Sequence, residues 1–192
     1  MNIYEQTTYK GYNINIYYDE YAESPRTAFE NLGTLYTAHR RYRPEKDFDS
    51  HFDINKVFEG CIGNFRESFL KRYIALPVYL YDHSGQTVAT TPFSCPWDSG
   101  FFGIIAVSLE KVRKEYGWKN ITSRRRSQIE SYLQCEIEEY DHFFRNEVYG
   151  FTITAIEDGI EEVDSCWGYY GDDSLKGMKE ECQRTIDNLI AA

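Results

Sequence analysis

The sequence predicts an α+β protein: a single domain in which an antiparallel sheet of five or six strands carries amphipathic helices packed on one face. Three observations support this prediction. Residues 12–19, YNINIYYD, alternate polar and apolar side chains as a half-buried strand does. Residues 122–146 place apolar side chains along one face of a helix. Residues 148–173 hold two strand-like runs around an Asp-Gly turn signal, which is typical of a hairpin.

The first part of the chain is predicted to combine strands with one long helix. After the strand at 12–19 comes a turn-rich connection over 22–33, and the Thr and Tyr content of residues 34–42 favours another strand. Asp53 is expected to cap a helix that runs to about Arg72, because the apolar residues between them follow helical spacing. Two glycines weaken that helical pattern.

The second part begins with strands and ends with helices. Residues 75–91, ALPVYLYDHSGQTVATT, predict two strands joined by a turn at DHSG. Residues 103–108, GIIAVS, predict a buried strand, after which Ser108 caps a short helix that ends at Gly117.

The clearest helix, 122–146, starts with a cap at Thr122 or Ser123. A last amphipathic helix is expected over about 174–190, after the hairpin at 148–173. No internal repeat or linker divides the chain, so residues 1–192 are predicted to form one domain with an acidic final third.

The charge of the chain is unevenly distributed. The formal net charge is −10, and residues 136–192 hold 15 Asp and Glu against 4 Lys and Arg. A negative surface repels nucleic acid but suits a groove lined by Lys and Arg. Direct nucleic-acid binding is therefore not expected, and the arginines near residues 40–43 and 124–126 are interpreted as parts of solvated surfaces.

Composition also excludes several classes of protein. The sequence has no apolar run long enough for a membrane helix, and its start lacks the basic and apolar regions of a signal peptide. Five cysteines without a C-x-x-C pair argue against a zinc site or a disulfide framework and favour a reducing cytosol. The sequence contains neither of the glycine-rich nucleotide-binding motifs, G-x-x-x-x-G-K-[ST] and G-x-G-x-x-G. Asp172 and Asp173 carry ligand-type oxygens, but we expect them to cap the last helix, so no metal or cofactor is predicted.

One candidate for enzyme chemistry is a cysteine nucleophile. Cys95 could act with His83 as base, while Asp98 orients the imidazole. No helix begins directly after Cys95 to stabilise a thiolate, and Pro96 lacks an N–H for an oxyanion hole. The alternative is a structural thiol in a tight turn.

Two glycine-rich segments combine a cysteine with aromatic residues. They are SCPWDSG at 94–100, which contains Trp97, and SCWGYYGDD at 165–173, which contains Trp167. We expect them to meet at one end of the sheet. There they form either the edge of the core or an exposed patch, and Trp and Tyr are the residues that dominate binding energy in such patches.

Several motifs resemble a family of accessory proteins encoded by phages and other mobile elements of bacteria. These motifs lie at 23–42, 75–85, 91–103, 111–117 and 147–173. The resemblance implies a small accessory protein that acts in the cytoplasm of the bacterial host. Acidic proteins of this kind often disarm host defences by occupying a surface that normally receives nucleic acid.

Resemblance and charge together predict a non-enzymatic inhibitor of a nucleic-acid-targeting host defence protein. The sharpest version is an anti-CRISPR that mimics DNA and binds a guide-directed Cas nuclease. The alternatives are an enzyme that uses Cys95 with His83 to modify a host protein, and an accessory protein with no defence role. The expected partner-binding residues are Glu136, Glu138, Glu139, Asp141, Glu161, Glu162, Asp164, Trp167, Tyr169, Asp172, Asp173 and Trp97.

Overall fold

The computed structural model describes residues 3–95, 97–156 and 162–191. In chain order, the strands are β1 (Ile3–Tyr9), β2 (Tyr12–Tyr18), β3 (Thr34–Thr37), β4 (Lys46–Asp47), β5 (Phe58–Glu59), β6 (Cys61–Phe65), β7 (Tyr73–Asp82), β8 (Gln86–Ala89), β9 (Ser99–Ser108), β10 (Val148–Ala155) and β11 (Glu162–Tyr170). The helices are α1 (Pro25–Ala28), α2 (Ile54–Val57), α3 (Glu67–Leu70), α4 (Leu109–Tyr116), α5 (Ser123–Phe144) and α6 (Asp172–Ala191). The predicted α+β class is confirmed.

The chain divides into two compact units. We call them the terminal unit, Met1–Glu23 with His142–Ala192, and the central unit, Ser24–Asp141. In the described residues, the central unit holds a sheet of the predicted size, five strands in the order β4-β3-β9-β7-β8. The terminal unit holds a second, four-stranded sheet, β1-β2-β10-β11. The second sheet exists because β2 pairs antiparallel with β10, which joins the two ends of the chain.

Helix α6 covers one face of the terminal sheet. Its apolar residues recur at helical spacing and pack on the inward-facing residues of β2 and β10. The buried residues of this core are Ile14, Ile16, Tyr149, Phe151, Ile153, Leu175, Met178, Cys182 and Ile186. The expectation of a helix on one face of the sheet is met here.

The central sheet is buried on both faces. Ile104 and Ile105 are neighbours on β9, so their side chains point to opposite faces, and both are fully buried. Ile104 belongs to a cluster that includes Val57 of α2. Ile105 and Leu133 of α5 both lie against Gly33, which leaves no space there for a Cβ.

The predicted long helix from Asp53 to Arg72 is wrong. Asp53 does cap a helix, since its Oδ1 accepts from Asn55 N at 2.9 Å, but that helix ends at Val57. Gly60 and Gly63 follow with φ of +77° and +92°, which other residues rarely adopt. The β5–β6 hairpin therefore occupies the middle of this segment, and the short α3 follows it.

The predicted limits of α4 and the predicted start of α5 are confirmed. Ser108 caps α4 by accepting from Lys111 N at 3.1 Å, and Gly117 ends it with φ of +64°. Thr122 accepts from Arg125 N at 3.3 Å at the start of α5. Strands β10 and β11 pair antiparallel as the predicted hairpin, whose Asp-Gly turn lies outside the described residues.

Candidate functional site

Cys95, His83 and Asp98 lie together in the central unit. The Cys95 thiol donates to Asp98 Oδ2 at 3.3 Å, and His83 Nδ1 lies 3.5 Å from Asp98 Oδ1. The carboxylate therefore stands between the thiol and the imidazole. A base for the thiol has to lie next to the sulfur, which in this kind of chemistry is the place of the imidazole. The three side chains meet, but their order leaves the sulfur beside a carboxylate.

The loop that carries Cys95 and Asp98 is closed between the end of β7 and the start of β9. Asp82 N donates to the Asp98 carbonyl at 2.9 Å, and the Ser99 hydroxyl donates to the Cys95 carbonyl. These contacts fix the backbone on both sides of Pro96, which itself lies outside the described residues. The arrangement favours a structural thiol in a tight turn.

The aromatic residues of this loop have different environments. Trp97 is 92% exposed, whereas Phe102 is fully buried. Phe101 packs edge-on against Phe48, with 5.8 Å between the ring centroids. Trp97 also borders a shallow groove of about 250 Å³ in the central unit. The phenylalanines therefore shape the core, and Trp97 is presented to solvent.

The two glycine-rich segments belong to different sheets. Residues 94–100 lead into β9 of the central sheet, and residues 165–173 include the end of β11 of the terminal sheet. Their predicted meeting at one end of a single sheet is wrong, because the two ends of the chain form a sheet of their own.

The carboxylate of Glu136 is engaged inside the central unit. Its Oε1 accepts from Leu32 N at 2.7 Å, and its Oε2 accepts from Arg26 Nη1 at 2.8 Å. Only 15% of the side chain is exposed. Its assignment as a partner-binding residue stays a prediction, and these contacts leave little of the carboxylate for a partner.

Arg26 is the centre of this network and was missed by sequence reasoning. Its guanidinium is fully buried and also donates to Glu45 Oε2 at 2.9 Å, to the Gly33 carbonyl at 2.8 Å and to Asn31 Oδ1 at 3.0 Å. A buried guanidinium is stable only when it is paired and its N–H groups have acceptors. The network thus ties α1, the start of β3 and α5 together.

Asp141 is also engaged in structure. Its Oδ1 accepts from Val88 N at 2.6 Å and from the Thr87 hydroxyl at 2.7 Å, which fixes α5 to β8. Its assignment as a partner-binding residue likewise stays a prediction, since this oxygen is used inside the central unit. Glu138 is exposed and accepts from Gln134 Nε2 at 2.8 Å, while Glu139 is half-buried.

The acidic residues of the terminal unit that were predicted to bind a partner differ in exposure and in hydrogen bonding. Glu162 and Asp173 are exposed, and Asp164 is half-buried. Asp172 Oδ1 accepts from the Tyr149 hydroxyl at 2.6 Å. Glu161 lies outside the described residues. Asp172 and Asp173 lie in the first turn of α6, where negative charge complements the helix dipole, rather than at the predicted cap.

The net negative charge is distributed unequally between the two units. The terminal unit holds 15 Asp and Glu against 5 Lys and Arg, whereas the central unit holds 16 of each kind. The whole net charge therefore belongs to the terminal unit. Sequence reasoning missed that the N-terminal strands belong to this unit. Only the pairing of β2 with β10 joins them to the C-terminal third.

Trp167 is held on the face of the terminal sheet that α6 leaves uncovered. Its indole lies over Gly150 on the neighbouring strand, so closely that a Cβ there would be 2.1 Å from the ring. The indole also stacks on Tyr17, with 6.0 Å between the centroids. Trp167 is 37% exposed, so one part of the ring is fixed and another part faces solvent. On the opposite face, the Tyr169 hydroxyl donates to Glu181 Oε2 at 2.9 Å.

Trp167 also lines a pocket of about 360 Å³, which we call the aromatic pocket. Its lining consists of three aromatic residues and two acidic residues. They are Tyr18, Tyr21, Trp167, Asp19 and Glu20. Sequence reasoning named only Trp167, because the others lie far from it in the chain, at the end of β2.

Burial makes several tyrosines of the core resistant to ionisation. It raises the pKa of the Tyr140 hydroxyl to about 12. Burial, followed by the hydrogen bond to Asp172, raises the pKa of Tyr149 above its usual value of 10.0. Burial likewise raises the pKa of the Cys182 thiol to about 12, so this cysteine is protonated and unreactive at neutral pH.

The described residues contain no group of three or more His, Cys, Asp or Glu side chains placed to hold a metal ion. Within the same ranges, no helix has the length and apolar character needed to cross a membrane.

Comparisons with known proteins give no further guide to function: no family model matches the chain, and neither the curated proteins nor the solved structures contain a match. The resemblance to phage accessory proteins stays a prediction.

Proposed function

We propose that this chain is a non-enzymatic binding protein whose terminal unit occupies a basic, nucleic-acid-binding surface of a host defence protein. Its sharpest version is an anti-CRISPR that competes with DNA on a guide-directed Cas nuclease. The observation that supports it most is the confinement of the net charge of −10 to the terminal unit. A field of this sign attracts the Lys and Arg side chains that normally hold phosphates.

The terminal unit offers carboxylates that are available for such contacts. They are exposed and lie on several of its elements. They are Glu20, Glu23, Glu162, Asp173 and Glu180. Exposed charges steer association and set its salt dependence, while partly exposed aromatic rings such as Trp167 supply the larger share of the binding energy.

The proposed contact leaves out Glu136 and Asp141, two of the predicted partner-binding residues. Glu136 and Asp141 hold the central unit together, so changing them would disturb the fold as well as the charge. The mutational test therefore uses only exposed residues of the terminal unit.

The test is a DNA-cleavage assay with guide-loaded Cas nucleases from bacterial hosts. One variant combines Glu162→Lys, Asp173→Lys and Glu180→Lys. Its matched control makes the same charge change on exposed residues of the central unit, Glu30→Lys, Asp49→Lys and Glu115→Lys. The wild type and the control should inhibit cleavage, and the terminal variant should not. Equal inhibition by the terminal variant, or none by the wild type, would contradict the anti-CRISPR version.

A further inference from the structure

We propose that the aromatic pocket of the terminal unit binds the guanidinium of an arginine side chain from a partner protein. The pocket has a volume of about 360 Å³ and is lined by three aromatic residues and two acidic residues. Organic cations bind well where aromatic faces and negative charge converge. The origin of the arginine rests on the proposed function, whereas the chemistry of the pocket does not.

The aromatic rings of the pocket are both accessible and positioned. Tyr18 is 38% exposed, Trp167 is 37% exposed and Tyr21 is 84% exposed, so a ligand can reach all of them. Trp167 is held by its contact with Gly150, and Tyr18 packs against Tyr149 with 5.4 Å between the centroids. The fixed indole of Trp167 and the exposed ring of Tyr21 can form walls for a planar cation.

The acidic residues supply the charge complement. Asp19 Oδ1 accepts from Tyr21 N at 3.0 Å and so fixes the turn that carries Tyr21. Glu20 lies between them in the sequence and is exposed. Among the described residues that line the pocket, none is basic. A cation that enters the pocket therefore meets attraction from the rings and from both carboxylates.

A neighbouring cavity is less suited to a cation. It has a volume of about 620 Å³ and shares Tyr18, Asp19 and Glu20 with the aromatic pocket, but its lining includes Arg145. That guanidinium lies 2.6 Å from Glu147 Oε1 and adds positive charge to this side. The cation site is therefore placed on the Trp167 side.

Arginine fits the pocket better than lysine. Its guanidinium is planar and weakly hydrated, so it stacks on aromatic faces while its N–H groups donate to carboxylates. The ammonium of lysine is a compact and strongly hydrated charge, which loses more when it leaves water. Arginine is also among the residues that most often dominate interfaces.

The test is a titration of the full chain with N-acetyl-arginine amide, followed by the NMR resonance of the Trp167 indole N–H. A Trp167→Phe spectrum assigns that resonance. N-acetyl-citrulline amide is the uncharged isostere of the probe. We expect arginine to bind at least about fivefold more tightly than citrulline, because one cation–π contact is worth about 1 kcal/mol. The assignment to a guanidinium would be overturned if the citrulline probe bound as tightly as the arginine probe. It would also be overturned if N-acetyl-lysine amide bound as tightly as the arginine probe.

Variants connect the binding to this pocket. Tyr21→Ala should weaken arginine binding about fivefold, and Tyr21→Phe should restore it, because the ring face carries the interaction. Glu20→Gln should also weaken it, whereas Asp187→Asn removes an exposed charge of the same unit outside the pocket and should not. Because Tyr21 is highly exposed, its removal should leave the fold intact, which circular dichroism checks. Unchanged affinity in Tyr21→Ala would overturn the proposal.

Failure of this inference and failure of the proposed function are distinguishable. Arginine-selective binding that depends on Tyr21 supports the pocket even when no nuclease is inhibited. Nuclease inhibition that is lost in the charge-reversal variant but unchanged in Tyr21→Ala supports the acidic surface and overturns the role of the pocket in partner binding.

Discussion

The Arg26 guanidinium and the Glu136 carboxylate form a 2.8 Å ion pair between residues 110 positions apart in the sequence. The same carboxylate accepts from the backbone N–H groups of Leu32 and Gly33. One acidic residue of α5 thereby holds a buried cation and the backbone that leads into β3. An acidic residue that looked like part of a binding surface is a structural element of the central unit.

Glu136→Ala should lower the free energy of unfolding by about 3 kcal/mol, because it leaves a buried guanidinium without one of its two carboxylates. Urea denaturation measures this change. Glu138→Ala, on an exposed position of the same helix, is the matched control and should stay within about 0.5 kcal/mol of the wild type. Equal effects of the two variants would contradict the role assigned to the ion pair.

Gly150→Ala should displace the Trp167 indole, since a Cβ at residue 150 would lie 2.1 Å from the ring. The expected cost is about 1–3 kcal/mol of stability, as in other overpacked sites. With Trp97 and Trp118 replaced by Phe, the emission of Trp167 should shift to the red. Gly100→Ala is the control, because no atom lies within 4 Å of a Cβ there. An unshifted emission in Gly150→Ala would argue against this contact.

The protein should lose stability above pH 10, because the folded state raises the pKa of Tyr149 above its usual value of 10.0. A raised folded pKa means that the stabilisation is complete below pH 10 and is lost as the pH rises further, when the unfolded chain ionises first. Urea denaturation at neutral pH and above pH 10 measures this loss. Tyr149→Phe should reduce the loss, and an equal loss in that variant would show that Tyr149 does not cause it.

Cys95→Ala should leave the proposed nuclease inhibition within about twofold of the wild type, because the sulfur lies beside the Asp98 carboxylate rather than beside the His83 imidazole. Cys95→Ser keeps a donor for Asp98 and should behave in the same way. A loss of inhibition in both variants, with the fold intact, would instead favour the enzyme that uses Cys95 with His83.

Elements with local signals could be predicted from the sequence. Ser108 and Thr122 satisfy N–H groups three residues away, and Gly117 takes the left-handed conformation that ends a helix. Such contacts depend on a few neighbouring residues only. For the same reason, the hairpin of β10 and β11 could be predicted.

The segment from Asp53 to Arg72 could not be predicted in the same way. Phe58, Phe65 and Phe69 fit helical spacing, but they also fit a hairpin followed by a short helix. The rings of Phe58 and Phe65 meet across the hairpin at 4.8 Å between centroids. The aromatic spacing is therefore compatible with both structures. The positive φ angles of Gly60 and Gly63 favour the hairpin.

The candidate site depends on contacts that have no local signal. Tyr18 and Trp167 line one pocket only because β2 and β11 both pair with β10. The acidic final third and Trp167 could be identified from the sequence. The proposed role of Tyr21 and the structural contacts of Glu136 could be identified only from the folded structure. The sequence shows which segments are acidic, but only the folded structure shows which acidic side chains are exposed for binding.

The most direct test of the central claim is capture of a partner from bacterial host lysate by the wild type and by the variant Glu162→Lys, Asp173→Lys, Glu180→Lys. The wild type should capture a nucleic-acid-binding defence protein, duplex DNA should displace it, and capture should weaken as salt rises. The variant should capture none of it. Capture of the same protein by the variant, unaffected by salt and by DNA, would show that the acidic surface of the terminal unit does not bind this partner.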